Sequence, residues 1–198
     1  VKSPDDHWNE KIRADYRAKD DLNIKKKTLK SLHSIGMTAA HIVPEKGIFK
    51  GKSDLVVLND EMLSVAKDVS ELIEFKTTGW SDNGYPNSLL GVIAVIRQTM
   101  LDADWYQRSI DIIKKYPEEN EPLSLNPSLI EIASFKSKRS PFFFMTREEH
   151  SALRSLKISK EFNLNPWLLA SGYEYRRLDE IAEPVSYTHL TLPTRAVV

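Results

Sequence analysis

Cysteine is missing from all 198 residues. That excludes disulfides, thiolate metal sites and a cysteine nucleophile, but says nothing of compartment. An excess of charge is missing too: 28 Lys and Arg face 28 Asp and Glu. No global basic field therefore points to nucleic acid, and no acidic tail to a solvating segment. No apolar run approaches the ~20 residues of a membrane span. Glycine is sparse, at 7 residues, with no GxGxxG or phosphate-loop set, so the nucleotide-binding α/β folds lose support. No GxSxG elbow, Ser/His/Asp order or HxH, HxxxH or HExxH pair occurs before residue 185. What is present is 41% hydrophobic residues, enough for a globular core.

The longest periodic stretch is 83–106. Leu89, Val92, Ile93, Ile96 and Met100 recur at the spacing of one helical face, with Asn87 as the expected N-cap. This helix is expected to run to about residue 115. Around it the chain alternates. Residues 22–35 read as a basic amphipathic helix closed by Gly36, and 37–43 as a short buried strand stopped by Pro44. Residues 44–53 read as a glycine-containing loop, 54–59 as a second strand, 61–70 as a connection and 72–77 as a third strand. Asn126-Pro127 caps a helix over 128–137. Residues 141–145, three phenylalanines behind Pro141, read as a strand buried on both faces. Thr146 and Glu149 form an expected capping box for a helix over 147–162. Residues 166–170 read as the last strand, followed by a short helix over 175–182.

Such alternation implies an α/β protein with a parallel sheet. The doubly wound sheet and the (β/α)8 barrel both satisfy it. Strands 37–43, 141–145 and 166–170 are expected in one parallel sheet. The strands at 54–59 and 72–77 are expected to pair, as an insertion outside a barrel.

Among candidate site residues, His41 stands out because it lies near the carboxyl end of an expected parallel strand, where α/β folds gather ligands. The competing reading is a hydrogen-bonded core histidine, and histidine is only intermediate in its tendency to be buried. Tyr85 lies in the polar loop ahead of the central helix. Glu174 and Tyr175 follow the last strand. Glu74 interrupts the apolar face of its strand, which reads as a solvated or paired carboxylate. From the residues alone, no complete catalytic set emerges.

The strings WNEKIR (8–13), GMTAAHIVPEKGIFKGKSDLVVL (36–58), GYPNSLLGVIAVIRQTMLDADWY (84–106) and SGYEYRRLDEI (171–181) together resemble the amidohydrolase superfamily. The pattern is most similar to long imidazolonepropionase-like proteins of Bacteroidetes type. The resemblance implies a partial (β/α)8 TIM-like barrel over 1–184, truncated at both ends, since a full barrel takes ~250 residues. It implies a parent that hydrolyses C–N bonds in cyclic or peptide-like amides with a divalent, zinc-like metal, which lowers the pKa of bound water and polarises the carbonyl. It also implies an exported or periplasmic setting and a second amidohydrolase-like half of the same polypeptide as partner.

The ligands do not carry over. Where the family pattern places histidines at two strand ends, this chain has Met145 and Ser171, although Gly172, Glu174 and Tyr175 match. Thioether and hydroxyl are poor substitutes for imidazole at zinc. We therefore expect no cofactor in this part. His41, Tyr85, Glu174 and Tyr175 are the candidate substrate- or ligand-contacting residues. A non-catalytic scaffold or a ligand-binding domain is the alternative function. Residues 185–198 open with VSYTHLTLPTR, which resembles a translated sequencing adaptor, and we expect a non-native tail that packs against nothing specific.

Overall fold

The computed structural model describes residues 7–77, 84–118 and 121–182. The tail at 185–198 and most of the loop ahead of the central helix lie outside them.

A five-stranded sheet carries the fold. Its strands are β1 (Ala39–Ile42), β2 (Phe49–Val57), β3 (Ser64–Glu74), β4 (Pro141–Met145) and β5 (Asn165–Leu169), side by side in sequence order. β1 and β2 pair antiparallel, as do β2 and β3, whereas β3, β4 and β5 run parallel. The three strands expected to share a sheet and a direction do so. The all-parallel sheet does not hold, because β2 turns back between β1 and β3. The β2–β3 hairpin is also longer than expected. Residues 49–53 and 64–70, read as loop and connection, are strand, and the hairpin belongs to the main sheet rather than to an insertion.

Bulges hid this hairpin. Its register shifts three times, and Gly51 (φ 114°) and Asp68 (φ 51°) break the alternation. Gly51 serves a close approach as well. Residues 11–17 run beside the first half of β2, with Arg13 N donating to Phe49 O (3.0 Å) and Lys52 N to Tyr16 O (2.8 Å). A Cβ on Gly51 would meet Tyr16 O at 2.2 Å. Glycine here lets two backbones touch.

Register and alternation sort the side chains into two faces. Glu71, Ile73, Phe142, Phe144, Pro166 and Leu168 point one way; Leu72, Glu74, Phe143, Met145, Trp167 and Leu169 point the other. The first face is packed under helices α2 (Leu89–Lys115), α3 (Pro127–Ser137) and α4 (Glu149–Glu161). α2 buries Val92, Val95, Ile96, Thr99, Met100, Ala103 and Tyr106, one stripe at three- and four-residue spacing. Its N-cap is Ser88, one residue after the expected Asn87: Ser88 Oγ accepts from Gly91 N at 3.2 Å. Lys114 and Lys115 in its last turn complement the helix dipole. α3 starts as expected, with Asn126 Oδ1 accepting from Leu129 N (3.1 Å) and Pro127 in the first turn.

Ahead of the sheet, α1 covers Lys26–Ser34, and Gly36 closes it with φ 83°. The chain's last described elements are a 3-10 turn, Glu174–Arg177, and α5 (Leu178–Ala182). The capping box at Thr146 does not form. Thr146 Oγ1 donates across to Leu169 O at 2.6 Å, and Glu148 takes the N-cap position with no side-chain cap bond. No helix among the described residues is long and apolar enough to cross a membrane.

The second face is more open. Trp167 (44%) and Leu169 (41%) are exposed on it.

Candidate functional site

β3 and β4 end side by side, with Glu74 opposite Met145. Glu74 is buried there and accepts from two cations. Lys50 Nζ lies 2.5 Å from its Oε2, and Arg147 reaches its Oε1 through Nε (3.0 Å) and Nη2 (2.6 Å). Lys50 is buried as well and also donates to Met145 Sδ at 3.4 Å. Burial by itself pushes the Glu74 carboxyl up, but the hydrogen bonds and charges of Lys50 and Arg147 outweigh it and hold the group below the usual range. These contacts favour the carboxylate form of Glu74.

The placement follows from local structure. Lys50 lies on the first, bulged stretch of β2, Glu74 is the last residue of β3, and Arg147 sits between β4 and α4. Above them opens a cavity of about 300 Å³ whose lining includes Glu74, Phe75, Leu89, Met145, Arg147 and Arg154, together with Thr77, Glu148 and Ser151. Arg154 Nη1 contacts Glu148 Oε1 at 3.2 Å. The cavity lies at the carboxyl ends of parallel strands, beside the start of α4, where α/β sheets place ligands.

The residues singled out from sequence do not converge here. His41 is on β1, its Nε2 2.7 Å from Ser53 Oγ and its ring 5.8 Å from that of Phe143. Burial lowers its pKa, partly offset by Asp54. It is on the second face of the sheet but does not line the cavity. Tyr85 is 53% exposed and precedes a cis Pro86; its carbonyl accepts from Asn9 Nδ2 at 3.4 Å. Tyr175 is 64% exposed, its ring 5.7 Å from the Arg176 guanidinium. Glu174 is buried and holds the loop after β5. It accepts from Ser171 N (2.7 Å), Ser171 Oγ (2.9 Å) and Gly172 N (2.8 Å). Desolvation raises its pKa, but these donors win and lower it. Its contacts are those of a loop clamp.

The residues that sequence reasoning missed are Lys50, Arg147 and Arg154. Glu74 stands out in the sequence, and its reading as a paired carboxylate matches the geometry. The signal for Lys50 lay in residues 48–53, where a lysine alternates with apolar and small residues like a strand position.

These strand ends do not suit a divalent cation. Glu74 already satisfies two cations, Met145 offers a thioether, and the Ser171 hydroxyl is committed to Glu174. Among the described residues, no group of three or more His, Cys, Asp or Glu side chains is arranged to hold a metal. Zinc sites want three or four nitrogen, sulfur or carboxylate ligands.

Another buried carboxylate lies on the helix-covered face. Glu71 is fully buried, with Oε1 accepting from Gly51 N at 3.2 Å. Desolvation raises its pKa well above the ordinary value; Gly51 and Lys52 oppose this, and Glu131 and Asp15 add to it. The unfolded chain releases this proton near the ordinary carboxylate pH of ~4.3, while the folded chain retains it. Its stabilising contribution is therefore complete below that pH and lost as pH rises toward the folded pKa. Urea melts should show wild type losing stability relative to Glu71→Gln between pH 5 and pH 8. A gap that stays constant with pH would show Glu71 ionising like an exposed carboxylate.

No protein-family model matches the chain, and no curated protein sequence matches it significantly. A solved structure does. The fold is similar to that of an amidohydrolase from Thermotoga maritima MSB8, with a TM-score of 0.68 and 18% identity over 81% of this chain. The matched region spans 44% of that protein's length. The likeness establishes an amidohydrolase-like fold.

Proposed function

We propose that this chain forms part of an amidohydrolase-like hydrolase acting on C–N bonds, and that it supplies barrel scaffold and a ligand-contacting wall rather than metal ligands. In this reading the sheet is one side of a (β/α)8 barrel, and the rest of the barrel covers the face bearing Trp167 and Leu169. The observation that carries it is the Lys50–Glu74–Arg147 cluster at the carboxyl ends of the strands. An ammonium and a guanidinium already neutralise Glu74, the carboxylate at the strand ends, and Arg154 pairs with Glu148 beside it. The catalytic metal of such a hydrolase, and the water it activates, then belong to other strands of the barrel.

Elemental analysis of the purified, dialysed chain tests this. The expected result is far less than one divalent metal per chain, with no release of amine from N-acyl amino acids. A stoichiometric metal lost on Glu74→Gln would refute the reading.

A further inference from the structure

We propose that the cavity above Glu74 is a carboxylate-binding site, taking a small organic acid whose carboxylate bridges Arg147 and Arg154. The charge balance points to an anion. Two arginines, Arg147 and Arg154, line one opening with two carboxylates, Glu74 and Glu148, and Lys50, buried against Glu74 and outside the lining, adds a third positive charge. Glu74 does not repel an incoming anion, since both its oxygens are engaged by positive groups.

Donors are available on both arginines. A guanidinium carries five N–H groups in a planar fork. The contacts made by the described residues use Nε and Nη2 of Arg147 and only Nη1 of Arg154. The Arg147 side chain lines the cavity and is 77% exposed, so it is accessible to a ligand from solvent. Pinning one edge of that fork to Glu74 fixes its plane, which lowers the entropy lost when the other edge binds a ligand. The paired N–H geometry of guanidinium matches a planar carboxylate.

The remaining walls set the ligand's body. Phe75, Leu89 and Met145 are apolar, and Thr77 and Ser151 add hydroxyls. A volume of about 300 Å³ is at the small end of ligand pockets, which suits a compact acid. The site stands on these residues; only an amide within the ligand's body rests on the hydrolase reading above.

The test is calorimetric titration of the intact chain at low ionic strength with acetate, N-acetylglycine, N-acetylglycinamide and inorganic phosphate. N-acetylglycine should bind, and its uncharged amide should bind about tenfold more weakly or worse. Arg147→Gln and Arg154→Gln should each weaken N-acetylglycine about tenfold, and salt should weaken it in wild type. Arg154→Gln leaves the Lys50–Glu74–Arg147 cluster whole, so it decides the matter if Arg147→Gln lowers the melting temperature. Acetate binding without N-acetylglycine binding would uphold the carboxylate site and count against the amide substrate. Failure of both carboxylates, binding indifferent to both substitutions, or phosphate binding alone would overturn the proposal.

Discussion

Glu74→Ala is expected to destabilise the chain by about 3–5 kcal/mol, the usual cost of removing one partner from a buried ion pair. Lys50 is only 3% exposed, and without Glu74 its ammonium keeps, among the described residues, a single weak thioether acceptor, Met145 Sδ. The penalty belongs to the stranded charge rather than to the lost bond. Lys50→Met combined with Glu74→Leu should therefore recover most of the loss, because an apolar pair of similar volume needs no desolvation. Arg147→Ala should cost no more than about 1 kcal/mol, since that side chain is largely in water. Denaturant melts of the three variants check the ordering. Equal costs for Glu74→Ala and the double variant would show that the ion pair itself, not the orphaned lysine, sets the stability.

Phe144→Ala is expected to cost a similar amount, about 3–5 kcal/mol, for a different reason. Phe144 is fully buried on the central parallel strand, between Ile73 and Leu168 in register, with its ring 6.5 Å from that of Phe75. Its removal leaves a cavity under the helices that neighbouring β-strand backbone cannot close. Phe143, one residue earlier, points to the other face and is only partly buried. Phe143→Ala should cost clearly less. Equal losses in thermal melts would mean that the second face is as well covered as the first.

The helices and parallel strands were legible because their signals are local. Asn126-Pro127, Gly36 and the 3.6-residue stripe from Leu89 to Met100 each encode an element within a few residues. Three phenylalanines behind a proline mark a strand, but it is buried on one face rather than both: Phe142 and Phe144 are fully buried, whereas Phe143 lies on the more open face. The β2–β3 hairpin was not legible as a whole, because three register shifts interrupt its alternation. Gly51 bends β2 to admit the backbone of Tyr16, and no pattern within residues 44–53 reports a neighbour more than thirty positions away. Thr146 shows the same limit: its capping motif is intact in sequence, yet Leu169 O on the next strand takes the hydroxyl.

The site suffered from the same blindness. Its three charged groups come from residues 50, 74 and 147, which only the sheet brings together. His41 drew attention by residue type and strand position. In the fold its nitrogen contacts a buried serine on the neighbouring strand, away from the cavity. Glu174 drew attention through the resemblance alone, and its three donors show a loop clamp after β5. Met145 drew attention as a departure from the family pattern, and in the fold its sulfur accepts from Lys50 at the edge of the cluster.

Crystals of the chain soaked in zinc and measured across the zinc absorption edge test the central claim most directly. The account predicts no anomalous peak within the ~2.0–2.2 Å zinc–oxygen distance of Glu74, with Lys50 Nζ still bound to that carboxylate. A peak coordinated by Glu74, with Lys50 displaced, would contradict it.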